Sequence, residues 1–331
     1  MRKRIRKALT FLIVGLLVIV GAGLAFIRLG LPDVGPAPLL EIDSDAAQIE
    51  RGRYLANHVA ACMDCHSTRD FTKLTGPMVA GTEGKGGEGF LREQGFPGNY
   101  YAPNLTPAHL GTWTDGEIYR AITTGVSRDG RALFPVMPYQ NFGQMAPDDI
   151  HAIIAYLRSL KPIQHVVPAS ESDFPMNFII NTIPAKREGG KRPAPTDQIA
   201  YGKYITMFAG CGDCHTPVDA QGQGLPGMSF AGGREFPMPT GTARAANITP
   251  AQSGIGKWTR EAFIARFRAY TNASAQPTVG EEGTNSIMPW TMYAHMTDQD
   301  LGAIYDYLRT VKPVEHTVPP FTPKPRMVAT R

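Results

Sequence analysis

Two five-residue motifs hold every cysteine of the chain: Cys62-Met63-Asp64-Cys65-His66 and Cys211-Gly212-Asp213-Cys214-His215. In such a pentad the two thiols add across the vinyl groups of a haem, and the histidine lies under the iron as its proximal ligand. Both motifs are complete and no cysteine is left over. The pattern implies two covalently bound haem c groups, held by Cys62, Cys65 and His66 and by Cys211, Cys214 and His215.

Other cysteine chemistries fit less well. Two Cys-x-x-Cys pairs can share a tetrahedral zinc, but the spacing within zinc sites is usually some tens of residues, and these pairs lie 149 apart. A thioredoxin-like pair opens a helix in a βαβ setting, and no strand-rich flank is visible here. Plain disulfides are chemically possible in an exported chain, yet neither they nor a redox pair explains the two histidines.

The elements that position the pentads repeat. Arg51-Gly52-Arg53-Tyr54 precedes the first and Tyr201-Gly202-Lys203-Tyr204 the second. Asn104-Leu105-Thr106-Pro107 answers Asn247-Ile248-Thr249-Pro250, and Trp113-Thr114 answers Trp258-Thr259. Met137-Pro138-Tyr139 answers Met288-Pro289-Trp290, and Tyr156-Leu157-Arg158 answers Tyr307-Leu308-Arg309. Two copies of this length describe a duplicated domain and not a solenoid. Short amphipathic helices are expected at 46–61 and 197–210, with Gly52 and Gly202 as points of close contact. Closing helices are expected from Asp148 to Leu160 and from Asp298 to Val311, with acidic first turns and a Lys-Pro stop. The long Gly- and Pro-rich stretches at 76–103 and 222–246 make sense wrapped around a porphyrin, which supplies apolar core of its own.

These motifs resemble the class I cytochrome c fold in tandem. They are similar in particular to the membrane-bound cytochrome c subunits of bacterial periplasmic dehydrogenases of the alcohol and gluconate type. The resemblance covers roughly 46–168 and 197–320. It implies a mainly α fold, two cytochrome c domains joined by a linker at 169–196, and residues 1–30 as a membrane anchor or signal segment. Many of those subunits carry three haem domains, whereas this chain carries two pentads.

A class I haem takes a sixth ligand well downstream of its histidine. Of 13 methionines, only Met137 with Met288 and Met145 with Met296 recur in both copies. Met137 and Met288 stand 71 and 73 residues after their histidines, each before a proline; Met145 and Met296 adjoin the closing helix, where methionine usually fills core space. The resemblance also puts the ligand in the Met-Pro turn, so the iron ligands are expected to be His66, Met137, His215 and Met288. His165 and His316 recur too, and are expected at the surface or near a haem propionate.

The chain opens with five basic residues, followed by an uncharged run from Ala8 to Ile27. That run is long enough to span a bilayer, and the basic residues hold its start in the cytoplasm. An uncleaved anchor is favoured over a signal peptide, because the apolar core is long and the cleavage site poor. The haem domains then face the periplasm from the bacterial inner membrane. The net charge of +4 comes from the anchor: beyond residue 28 the chain has 27 basic against 29 acidic groups, which leaves no basic patch for nucleic acid. The apolar run Phe174–Ile180 is expected to pack across the domain interface, with a partner-docking site as the alternative. Residues 81–90 lack the Gly-Lys-Ser/Thr of a nucleotide loop. The two Asn-x-Thr sequons are better explained by loop structure.

His/Met coordination fills the iron's coordination sphere and suits single-electron transfer. The expected role is electron carriage, without catalysis, from a periplasmic dehydrogenase or quinol-oxidising donor towards a terminal oxidase or soluble cytochrome. A di-haem peroxidase is the alternative, and it would need one iron with an open sixth site.

Overall fold

A computed structural model of the chain describes residues 2–219, 222–238, 241–279 and 283–324. An N-terminal helix, Arg2–Leu29, contributes no residue to the core and is long and apolar enough to cross a membrane. The rest is mostly helical and is built twice from the same parts.

In the first repeat a lead helix, Ala46–Tyr54, runs into a π turn, Leu55–Val59, and then the attachment turn Cys62–Cys65. A middle helix comes next at Asp115–Thr124, then a short turn at Tyr139–Phe142 and a closing helix at Pro147–Ser159. The second repeat gives Gln198–Phe208, Cys211–His215, Arg260–Arg268, Trp290–Tyr293 and Asp298–Leu308 in the same roles. Thr114 and Thr259, each after its tryptophan, cap the middle helices by accepting from the N–H of Glu117 and Ala262. Arg158 donates to the carbonyls of Leu110 and Trp113, and Arg309 to that of Gly256. The recurrent arginine therefore ties each closing helix to the loop before its middle helix.

Lead and closing helices cross at the two expected glycines. A Cβ at Gly52 would collide with the Ala152 carbonyl, and one at Gly202 with that of Ala303. The close crossing buries Ile150, Ile154, Leu301 and Leu308, and one hydrophobic cluster runs through both repeats.

The π turn has a cause in the sequence. Tyr54 stands eight residues before Cys62, whereas Tyr204 stands seven before Cys211. The first repeat absorbs its extra residue as one widened turn. Both attachment turns then begin from a left-handed residue, Ala61 (φ 48°) or Gly210 (φ 64°).

Two small antiparallel sheets were not anticipated. In one, Gly98–Tyr101 lies between Gly89–Phe90 and Glu171–Ser172; in the other, Gly241–Arg244 lies between Glu235–Met238 and Phe321–Pro323. Each pins the long loop after its pentad to the chain beyond the closing helix.

The segment 174–180 departs from expectation. Ile180 packs beside Tyr100, Ala132 and Phe134 on the first repeat, Phe174 is 80% exposed, and Asn181 Nδ2 donates to the carbonyl of Ile27. It straps the first repeat to the N-terminal helix and does not cross between repeats. Later linker residues also bind the first repeat: Gly190 N–H donates to the Met145 carbonyl (2.8 Å), and Arg192 pairs with Asp149 (2.6 Å).

The repeats exchange contacts across a pseudo-two-fold axis. Tyr204, on the second lead helix, donates to Asp149 on the first closing helix (2.6 Å). Tyr54, on the first lead helix, donates to Asp300 on the second closing helix. Both carboxylates are buried.

Candidate haem sites

In the first repeat Cys62, Cys65, His66 and Met137 line a single cavity of about 600 Å3, together with Leu105 and Trp113. That size suits an organic cofactor. His66 is buried, and its Nδ1 lies 2.8 Å from the Pro103 carbonyl. A carbonyl can only accept, so Nδ1 must carry the proton and Nε2 keeps its lone pair. Burial also holds the imidazole pKa below its usual value. A neutral ring with Nδ1 engaged by a carbonyl is the form in which histidine ligates iron.

The histidine of the second repeat is held in the same way. His215 is buried, its Nδ1 stands 2.6 Å from the Ala246 carbonyl, and burial lowers its pKa too. Pro103 and Ala246 immediately precede the recurrent Asn-(Leu/Ile)-Thr loops, which explains why those loops recur. Asn104 Oδ1 accepts from the N–H and hydroxyl of Thr106, and its amide donates to Ile163. Asn247 makes the matching bonds to Thr249 and Val314. Both asparagines are buried, so the sequons are structural. The loop's task is to aim one carbonyl at the histidine. Reading the residues alone missed Pro103 and Ala246, because a backbone acceptor leaves no mark in residue type.

The two Met-Pro turns share a form. Tyr139 N–H donates to the Met137 carbonyl and Trp290 N–H to that of Met288, each at 2.7 Å. Met145 and Met296 are wholly buried core residues. His165 and His316 pack against Gly87 and Gly233 in the loops after the pentads. Burial pushes the thiols of Cys62, Cys65 and Cys211 up to about 12 and that of Cys214 to about 11. The four cysteines are not linked as disulfides. Among the described residues no group of three His, Cys, Asp or Glu is placed to hold a metal ion by itself. Two thiols, an oriented imidazole and a thioether around one cavity are the donor set haem c requires, so the residues fit the group.

The surroundings of the two sites differ. Tyr139 is buried and its hydroxyl has no partner among the described residues, whereas Trp290 stacks on Tyr270 with Arg266 4.9 Å above its ring. Asp64 pairs with Arg69, which also reaches Glu88. Its counterpart Asp213 accepts from Asn141 of the first repeat's Met turn (2.7 Å). In return, His58 of the first repeat meets the Met292 carbonyl of the second (3.2 Å). The first Met turn thus touches the second pentad, and the second Met turn touches the approach to the first.

Comparison with known proteins agrees with this chemistry. The cytochrome c family profile matches residues 199–312. The chain is 28% identical to the cytochrome c subunit of the alcohol dehydrogenase (quinone) of Gluconacetobacter polyoxogenes, over 82% of this chain and 58% of that one. It is 29% identical to the fructose dehydrogenase cytochrome subunit of Gluconobacter japonicus, over 80% and 52%. A diheme cytochrome c-type protein of Cereibacter sphaeroides is 25% identical, over 77% and 83%. The chain spans only a little over half the length of the two dehydrogenase subunits. It contains a cytochrome c domain, which implies covalently held haem c, and it is homologous to the cytochrome c subunits of membrane-associated dehydrogenases.

Proposed function

We propose that the chain is a membrane-anchored periplasmic di-haem cytochrome c of the bacterial inner membrane. It takes single electrons from a periplasmic dehydrogenase or quinol-oxidising complex and passes them towards a terminal oxidase or soluble cytochrome. Its domains are 46–168 and 197–320, and its iron ligands are His66 with Met137 and His215 with Met288. The observation that carries this reading is the duplicated histidine–carbonyl pair: two buried imidazoles, each beside two thiols, with Nδ1 tied to the residue before an Asn-Thr loop.

Bound haem supplies a one-electron couple whose potential is raised by methionine ligation. The chain holds the imidazoles neutral and oriented through the carbonyls of Pro103 and Ala246. It fixes the two methionine loops by matching backbone bonds and keeps both sites within one continuous core. That rigidity suits electron passage with little rearrangement. The like form of the Met turns favours carriage over peroxidase chemistry, which needs one site to open.

The test is haem stoichiometry. Protein matured in a c-type cytochrome host should keep two haems per chain after denaturation, measured as the pyridine haemochrome. Changing Cys62 and Cys65 together to Ala should leave one. Loss of all haem on denaturation would overturn the reading.

A further inference from the structure

The N-terminal helix borders the first haem site. Arg28, in its last turn, lines the same cavity as Cys62, His66 and Met137. The helix is fastened there. Asn181 donates to the Ile27 carbonyl (3.3 Å) and Val34 is buried just beyond the helix. Farther on, Ile42 N–H donates to Asp115 (3.1 Å), and Gly116 lies so close to the Pro38 carbonyl that a Cβ would collide with it. A run of contacts from Ile27 to Ile42 therefore holds the end of the helix against the first repeat and not the second.

Arg28 is exposed, and what sets it apart is its place on the wall of this cavity. Basic residues of a single span concentrate on the cytoplasmic side, and the chain obeys this with Arg2, Lys3, Arg4, Arg6 and Lys7. Arg28 sits at the opposite end, and among the described residues no carboxylate lies within ion-pair distance of it. Of the other residues lining the cavity, Arg131 and Glu171 are charged, and His109, Tyr100 and Tyr101 are titratable beside the haem-attachment residues. Arg131 has Asp129 at 3.9 Å and Glu171 has Arg92 at 3.9 Å. A haem brings two carboxylates on one edge, and a guanidinium fits a carboxylate with paired N–H donors.

We propose that Arg28 binds a propionate of the haem carried by the first repeat. The N-terminal helix is then part of that haem's site. The inference rests on the two-haem reading and on retention of the N-terminal helix.

The experiment uses the full-length holoprotein in lipid nanodiscs, with haem count and intact mass measured first. Two haems with residue 28 present secure the underlying reading independently. Potentiometric titration then compares wild type with Arg28→Gln, Arg28→Lys and, as a control at the far end of the same helix, Arg6→Gln. Loss of the guanidinium charge favours the ferric form, so Arg28→Gln should lower one of the two potentials. A tenfold change in that haem's redox equilibrium, or 59 mV for one electron, is the scale expected. Arg28→Lys should restore most of the shift, and Arg6→Gln should move neither potential. Unchanged potentials with weakened association to anionic vesicles would assign Arg28 to lipid phosphate and overturn the proposal. Equal movement of both potentials, or a mature protein beginning after residue 28, would overturn it as well.

Discussion

Tyr54→Phe isolates one strut of the contact between repeats. The hydroxyl of Tyr54 donates to the carboxylate of Asp300 and accepts the N–H of Thr297, the cap of the second closing helix. Asp300 is 3% exposed, and no arginine lies within ion-pair distance of it among the described residues. Deleting the hydroxyl leaves a buried carboxylate short of a donor. Hydrogen bonds to charged groups contribute about 1.5–3 kcal/mol, so Tyr54→Phe should cost about 2–3 kcal/mol. Tyr204→Phe removes the symmetry-related bond, but Asp149 keeps Arg51 and Arg192; about 1–2 kcal/mol is expected there. Equilibrium urea unfolding of holoprotein, monitored by far-ultraviolet circular dichroism at matched haem content, gives both values. Combining Tyr54→Phe with Asp300→Asn should cost less than the sum of the single changes, since both remove one interaction. A Tyr54→Phe loss below about 0.5 kcal/mol, where ordinary surface substitutions fall, would refute the idea that these pairs hold the halves together. So would a reversed order of the two tyrosines.

Buried residues supply two more tests. Met137→Ala and Met288→Ala should each remove half of the weak sulfur-to-iron band of the oxidised spectrum. Met145→Ala and Met296→Ala should keep that band and cost about 2–5 kcal/mol of stability, as buried truncations do; the opposite pattern would reassign the ligands. Burial, and then the neighbouring His295, lower the pKa of His58 from 6.5 to about 4. Because the unfolded chain binds this proton more readily, the stabilisation is whole above pH 6.5 and is lost as pH falls towards 4. The loss reaches about 3 kcal/mol. Arg53, Glu50 and the Met292 carbonyl also face this ring. His58→Gln should flatten that part of the pH–stability curve, and an unchanged curve would show that His58 does not carry it.

Duplication made much of this molecule legible, because each half explains the other. Chemistry required by covalent motifs, such as the pentads, needs no knowledge of the fold. Gly52 and Gly202 were readable as contact points because small residues recur where helices cross. Met145 and Met296 were assigned to the core from their place beside the closing helix, and both are buried there. The illegible part depends on which surfaces meet. Tyr54, Tyr204, Asp149 and Asp300 all stand in recurrent motifs, but nothing in either repeat says that each tyrosine serves the other repeat's aspartate. The apolar run at 174–180 announced only that it must pack. Its partner, the first repeat beside the N-terminal helix, is set by the turn of chain through Glu171–Ser172, whose pairing with Gly98–Asn99 is non-local. The His66 and His215 orienting carbonyls escaped for a simpler reason, since every residue has one.

The π turn before the first pentad gives the duplicated chain a polarity. Two identical halves about a two-fold axis would offer an electron no preferred end. A single added residue in one lead segment rotates the chain beyond it, and His58 comes to lie against Met292 and 5.2 Å from the ring of His295. The second repeat, one residue shorter there, puts Phe208 in its core. One insertion, absorbed without breaking the helix, thus separates the two halves in kind. On the two-haem reading proposed above, selection could then set the two potentials independently.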